Sequence, residues 1–226
     1  MDDSRQKSIL VVIPAYNAAR YLPELVARVR RFVSAPDFLI VNDGSTDSTV
    51  EILRNLQVNF ISFPHNRGKG AALAAAFDYA LKHDYQSVLT LDADLQHLPE
   101  EIPRFFDAAD GRRLIIGTRT INLKIMPFSR WLTNNLTSLI ISIFSSARVR
   151  DSQSGFRMIP SSALKAMPLK SIKYDFESEM LFKAGALGCP IGEVPISTVY
   201  EHSASYINPV KDTFRFIRQI WKRIWA

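Results

Sequence analysis

Short apolar runs alternate with stretches whose apolar residues recur at helical spacing. This alternation limits the chain to very few architectures. Ser8 to Ile13, Phe38 to Val41, Asn59 to Phe63, Ser87 to Leu91 and Leu114 to Ile116 read as strands. Between them, Leu22, Leu25, Val26, Val29 and Phe32 trace a helix face within Tyr21 to Phe32, and Ile52, Leu53 and Leu56 trace a second. Ala71 to Lys82 reads as an alanine-rich helix, and Pro99 suits the first turn of one facing inward through Ile102, Phe105 and Phe106. Ser48 and Glu51 have the spacing of a capping box for the second helix. Strands and helices in this order predict an α/β fold: a mostly parallel sheet covered on both faces, with ligands beyond the carboxyl ends of the strands. Asn17, Asp43, Asp92 and Asp94 all fall at such ends.

With 226 residues, 47% of them apolar, the chain can bury one sizeable core, so one domain over 1–206 and an extension over 207–226 are expected. A single cysteine rules out a disulfide framework, and the four histidines lack the spacing of a zinc site. Residues 1–8 are polar and show no secretory signal, which predicts a cytoplasmic protein. The net charge of +6 is unevenly distributed, with basic residues gathering near the C-terminus, and this favours an anionic surface or ligand.

The chemistry concentrates in "TLDADLQH". On a strand, residues i and i+2 project to one side, so Asp92 and Asp94 are expected to aim two carboxylates at one point, where they repel each other unless a cation intervenes. Such ligands suit Mg2+ or Mn2+, and Gln96 could supply a third oxygen. In "VNDGSTD", Gly44 permits a tight turn and Ser45 to Asp47 can cap the next helix, which leaves Asp43 without a structural duty. In "HNRGKGAAL", Gly68, Lys69 and Gly70 are expected just before a helix, at a site suited to an anion, although neither a P-loop nor G-x-G-x-x-G is present.

Six blocks in order, Pro14-Ala15-Tyr16-Asn17, Asn42 to Asp47, Asn66 to Gly70, Asp92 to His97, Gly117-Thr118-Arg119 and Asp151 to Arg157, resemble the family 2 inverting glycosyltransferases. Within that family they resemble the dolichol-phosphate mannosyltransferase and polyprenyl-phosphate glycosyltransferase branch. The resemblance spans about residue 9 to residue 216. It implies a nucleotide-diphospho-sugar-binding domain of the GT-A type. It further implies that Pro14, Tyr16, Asn17 and Asp43 line the donor's base and ribose, with Lys69 and Asp92 also at the donor, and that Asp92, Asp94 and Gln96 hold the metal. Arg119 and Arg130 are the candidate phosphate clamps. If the acceptor is a lipid phosphate, already anionic, Asp151 positions it; a hydroxyl acceptor needs a base, for which Asp151 and Glu177 are the candidates. No Q-x-x-R-W block marks a processive polymer synthase. The stretch YEHSAS, residues 200–205, lacks the basic residue usual in the mannosyltransferases, so His202 substitutes for it or the donor differs.

Val210, Phe214, Ile217, Trp221 and Ile224 recur at helical spacing opposite Lys211, Arg215, Arg218 and Lys222. A basic amphipathic helix with Trp221 and Trp225 near its end suits an anionic bilayer surface and predicts a peripheral protein on the cytosolic face of a membrane. Leu136 to Phe144 is too short to span a bilayer and reads as either a core or an interfacial helix. The expected activity is metal-dependent, inverting transfer of one mannose- or glucose-type sugar from a GDP- or UDP-sugar to a polyprenyl or dolichyl phosphate. The alternatives are a sugar or glycolipid hydroxyl as acceptor, or a catalytically silent nucleotide-sugar-binding relative. Nucleic acid is not expected as a partner, because strand-end carboxylates would repel it.

Overall fold

A computed structural model of the chain describes residues 9–119, 138, 139, 142, 149–167 and 176–197. Arg130, His202 and the amphipathic stretch beyond residue 206 lie outside the described residues, as does most of Leu136 to Phe144.

In chain order the elements are β1 (Ile9–Ala15), α1 (Leu22–Val29), β2 (Phe38–Asn42), α2 (Thr49–Asn55), β3 (Asn59–Ser62), α3 (Lys69–Lys82), β4 (Ser87–Thr90), α4 (Ile102–Ala108) and β5 (Leu114–Arg119). These are followed by β6 (Arg157–Pro160), α5 (Ser161–Ala166), α6 (Phe176–Ala186) and β7 (Ile191–Ile196). The seven strands form one sheet in the order β3-β2-β1-β4-β6-β5-β7. Strands β1 to β4 are mutually parallel, β5 is parallel to β7, and β6 alone runs antiparallel to both its neighbours.

The period-2 alternation of the strands divides the core in two. Leu10, Val12, Leu39, Val41, Val88 and Ile116 face α3, α5 and α6 through Ala76, Phe77, Leu164 and Leu181. Val11, Ile13, Phe38, Ile40, Leu89 and Ile115 face α1 and α4 through Leu25, Val26, Val29, Ile102 and Phe105. Both faces are covered, as expected for strands that read as nearly continuous apolar runs.

Local chemistry moves several boundaries. Strand β1 continues through Pro14 instead of stopping before it. The carbonyl of Val12 accepts from the Leu91 amide and that of Ala15 from the Asp43 amide, so strand parity turns the Pro14 nitrogen toward β4. The β1–β4 ladder has ended by then, with Val12 opposite Thr90, and the missing N–H removes no sheet bond. The chain therefore opens a crevice between β1 and β4, where the strand order reverses. The capping box is not formed. Ser48 makes no side-chain cap, and the Thr49 amide donates instead to Asp47 Oδ1 at 3.0 Å.

Candidate functional site

Three loops at the carboxyl ends of β1, β2 and β3 are knitted together by short polar side chains. The Asn17 amide donates to Ser45 Oγ at 2.9 Å, and Asn17 Oδ1 accepts from the Thr46 amide at 2.8 Å. Asp43, 2% exposed, accepts from the Arg67 amide at 2.7 Å and the Gly68 amide at 2.8 Å, one on each carboxylate oxygen. It therefore has a structural duty that its sequence context did not reveal: it ties the "NRGK" loop to β2. The loops meet so closely that a Cβ on Gly44, whose φ is +65°, would lie 2.5 Å from the Asn66 nitrogen. Above them Tyr16 stands 50% exposed beside the half-buried Pro14, the kind of open aromatic surface on which a planar base can stack.

The aspartates are placed differently from the expectation. Strand β4 ends at Thr90, so Asp92 and Asp94 sit in the turn beyond it, where Leu95 takes a φ of +60°. Asp92 turns inward: its Oδ1 lies 2.6 Å from Lys69 Nζ and its Oδ2 3.6 Å from His97 Nδ1. Lys69 also reaches Glu177 Oε1 at 2.8 Å. It is the first residue of α3, with Gly68 at a φ of +96° before it, so Lys69 and Gly70 lie inside the helix rather than ahead of it. Asp94 Oδ1 accepts from the Gln96 amide at 3.1 Å.

The charges in this turn perturb one another. Burial pushes the Asp92 carboxyl up, but the Lys69 ammonium beside it overrides this and brings it down to about 2. Burial lowers Lys69, and the Asp92 and Glu177 carboxylates reverse that, leaving it above its ordinary value. Asp94 is raised, first by burial and then by the charge on Asp92. His97, 4% exposed, is pushed down to about 4 by burial against the pull of Asp92, and its Nδ1 has no hydrogen-bond partner.

Because β6 runs antiparallel to β4, with Thr90 opposite Arg157, the residues that precede β6 arrive at the carboxyl end of β4. Asp151, 1% exposed, takes both arms of the Arg119 guanidinium, Nε at 2.6 Å and Nη2 at 2.8 Å. Burial opposes ionisation of Asp151, and the Arg119 fork prevails and holds it below its ordinary value. Thr90 Oγ1 donates to the Gly155 carbonyl at 2.7 Å. A Cβ on Gly155 would come within 2.9 Å of Asp92 Cγ, so only glycine lets this loop lie against that carboxylate.

The structure thus gathers Asp92, Asp94, Gln96, Lys69, Arg119 and Asp151 around the end of β4, with Pro14, Tyr16, Asn17 and Asp43 on its β1–β2 side. Sequence reasoning assigned no role to Arg157, 1% exposed, whose guanidinium donates at 2.6 Å to each of the carbonyls of Ser152, Ser154 and Glu177. It also assigned none to His97 or Gly155. All three lie inside the matched blocks, but a block does not reveal which of its residues turn inward.

The donor set suits a hard divalent cation. Among the described residues no group of three or more His, Cys, Asp or Glu side chains forms a closed metal cage. What is present is two carboxylates two residues apart, Asp94 raised first by burial and then by the charge of Asp92, an arrangement that leaves a divalent ion to complete its shell with water and substrate phosphates.

Comparison with solved structures yields glucosyl-3-phosphoglycerate synthase from Mycobacterium tuberculosis, crystallised with Mn2+, UDP and glucosyl-3-phosphoglycerate. It shares the fold at a TM-score of 0.76 and 17% identity, over 98% of this chain and 82% of that one. Among curated proteins, an undecaprenyl-phosphate mannosyltransferase of Micrococcus luteus is 31% identical over 84% of this chain and 83% of its own length. A UDP-N-acetylglucosamine–dolichyl-phosphate N-acetylglucosaminyltransferase of Methanococcus voltae is 31% identical over 86% of both. A polyprenol monophosphomannose synthase of Mycolicibacterium smegmatis is 30% identical over 83% of this chain and 76% of its own. Residues 10–173 match the family described as Glycosyl transferase family 2, and with these relatives the match makes the chain a member of that family and a glycosyltransferase of the GT-A fold.

Proposed function

We propose that the protein transfers one sugar from a nucleotide diphospho-sugar to a polyprenyl phosphate at a membrane surface, with inversion at the anomeric carbon. The observation that carries the choice of acceptor is the bidentate Arg119–Asp151 pair: both oxygens of Asp151 are held by guanidinium N–H groups, and its pKa is depressed. A carboxylate so held is a poor proton acceptor. A lipid phosphate needs none, because its oxygen is already anionic when it attacks. The names of the three relatives support the same acceptor class, since each carries a polyprenyl or dolichyl phosphate or polyprenol while the sugar varies between mannose and N-acetylglucosamine.

In this scheme Tyr16 and Pro14 offer a stacking surface to the base, and Asn17 and Asp43 keep the loops around it in register. Asp92 and Asp94, with Gln96, would hold Mg2+ or Mn2+, which supplies charge neutralisation at the departing nucleoside diphosphate. Lys69 adds a cationic side chain at the first turn of α3. Arg119, fixed by Asp151, is the first proposed clamp for anionic oxygens, and Arg130 is the second.

Membrane attachment is supported by the few described residues of the Leu136 to Phe144 segment. Ser138 is 4% exposed and exchanges hydrogen bonds with Ser152, whereas the adjacent Leu139 is 58% exposed. Among the described residues of this segment, an apolar side chain is therefore the one that faces outward. Among the described residues no helix is long and apolar enough to cross a membrane. The basic stretch over 207–226 is the proposed second contact.

Transfer to a hydroxyl has one observation in its favour: Glu177 Oε2 is buried without a hydrogen-bond partner. Incubating the protein with labelled GDP- and UDP-sugars, and either a short polyprenyl phosphate or a hydroxyl-bearing glycolipid, separates the two acceptors. Label in the polyprenyl phosphate, lost with EDTA and in Asp94→Asn, is the expected result. Label only in the glycolipid would transfer the assignment to the hydroxyl acceptor and to Glu177 as base.

A further inference from the structure

Lys69 Nζ stands between two carboxylates on different elements, 2.6 Å from Asp92 Oδ1 in the turn after β4 and 2.8 Å from Glu177 Oε1 on α6. Asp92 is confined on two sides. Behind the carboxylate, the Gly155 backbone packs so closely that a Cβ there would lie 2.9 Å from Asp92 Cγ, and His97, its ring tilted against Phe156 at a centroid distance of 5.5 Å, lines its other side. One of the two oxygens that Asp92 would offer a divalent ion is therefore taken by the ammonium, whose positive charge also opposes a cation at the other. Asp94 is not so engaged: its Oδ1 accepts from the Gln96 amide.

Lys69 is the longer and more adaptable partner of the pair. It is a four-carbon side chain at the first position of α3, and Glu177 remains as a partner when Asp92 is released. A diphosphate brought to the end of β4 offers the ammonium anionic oxygens in exchange for the carboxylate it gives up.

We propose that Lys69 competes with the divalent ion for Asp92 and thereby makes metal binding conditional on the donor, because the donor's diphosphate draws the ammonium off the carboxylate. This rests on the metal-assisted transfer proposed above and adds an order to it: nucleotide and metal enter together, and metal alone binds weakly through Asp94. Linkage makes the effect reciprocal, so the metal strengthens nucleotide binding by the same factor. The coupling guards against idle occupancy, since a site that accepted the ion alone would also retain it after the nucleoside diphosphate had left.

The test measures Mn2+ binding directly, by the loss of the free-ion electron paramagnetic resonance signal, in the wild-type protein and in Lys69→Gln, with and without GDP or UDP. The variant removes the positive charge and retains a hydrogen-bond donor. Without nucleotide, Lys69→Gln is expected to bind Mn2+ at least about tenfold more tightly than the wild type. Added nucleoside diphosphate is expected to raise the wild-type affinity more than that of the variant. Equal affinities without nucleotide, both raised alike by it, overturn the competition and leave metal-assisted transfer standing. No Mn2+ binding by either protein under any condition overturns both. Should Lys69→Gln not fold, the Nζ resonance of Lys69 in the unaltered protein decides: it is expected to shift when Mg2+ and nucleotide are added together and to stay in place with Mg2+ alone. A resonance that stays in place in both overturns the proposal.

Discussion

Arg157 gives its guanidinium to three backbone carbonyls, not to a carboxylate, and through them ties the loop bearing Asp151 and Gly155 to the helix bearing Glu177. Burial lowers its pKa while the fields of Glu177, Asp151 and Asp92 oppose that shift, so it is also the fixed counter-charge of the site. Arg157→Met would take a donor from three carbonyls, of which those of Ser152 and Ser154 lie outside any helix, and leave those carboxylates under-compensated. The expected cost is about 3–5 kcal/mol, read from urea unfolding at neutral pH. His97 makes a pH-dependent prediction. Its folded value of about 4 lies below the 6.5 of free imidazole, so as pH falls the unfolded chain takes up a proton before the native one does. The native state thus keeps its full His97 contribution above about pH 6.5 and loses it progressively down to about pH 4, on the order of 3 kcal/mol in all. His97→Asn should flatten the fall in melting temperature across that window; an unaltered slope would show that the imidazole ionises freely in the fold.

At the scale of elements, α4 is joined to the sheet by an aromatic stack. The ring of Phe105, fully buried, lies 4.3 Å from that of Phe156 just ahead of β6, and a Cβ on Gly117 of β5 would come 3.0 Å from Phe105. Phe105→Ala leaves a cavity between three elements and should destabilise by about 3–5 kcal/mol in chemical denaturation. Phe106, expected to face inward, is only half-buried and lines a surface hollow with Phe32 and Pro103. The helix face of α1 was legible because its apolar residues repeat at helical spacing against a sheet that buries them, and α3 was legible as a helix from its alanine content. Strand β6 was not legible: Arg157-Met158-Ile159-Pro160 contains a charged residue that only its position beneath the Ser152 and Glu177 carbonyls renders compatible with burial.

At the scale of the molecule, the outward Leu139 and the basic residues beyond 206 define one expectation, attachment to an anionic bilayer. Reversing Lys211, Arg215, Arg218 and Lys222 to Glu should abolish flotation with vesicles containing phosphatidylglycerol, at about 1 kcal/mol per residue. Leu139→Asp should weaken attachment even in high salt, because its contribution is apolar. Undiminished flotation of both variants would remove these surfaces from the membrane contact.

The periodicity of apolar residues, a local property of neighbouring positions, was enough to establish the α/β class, covered on both faces, and the placing of Asn17, Asp43, Asp92 and Asp94 beyond strand ends. Pairings between residues far apart in the chain became visible only in the fold. Asp43 is consumed by a loop 24 residues away, and Asp92 meets Lys69 at the start of α3 and Gly155 because an antiparallel β6 returns the chain to the end of β4. Charges interact through space, and which ammonium reaches which carboxylate depends on how the strands are ordered, which the spacing of residues along one strand does not encode.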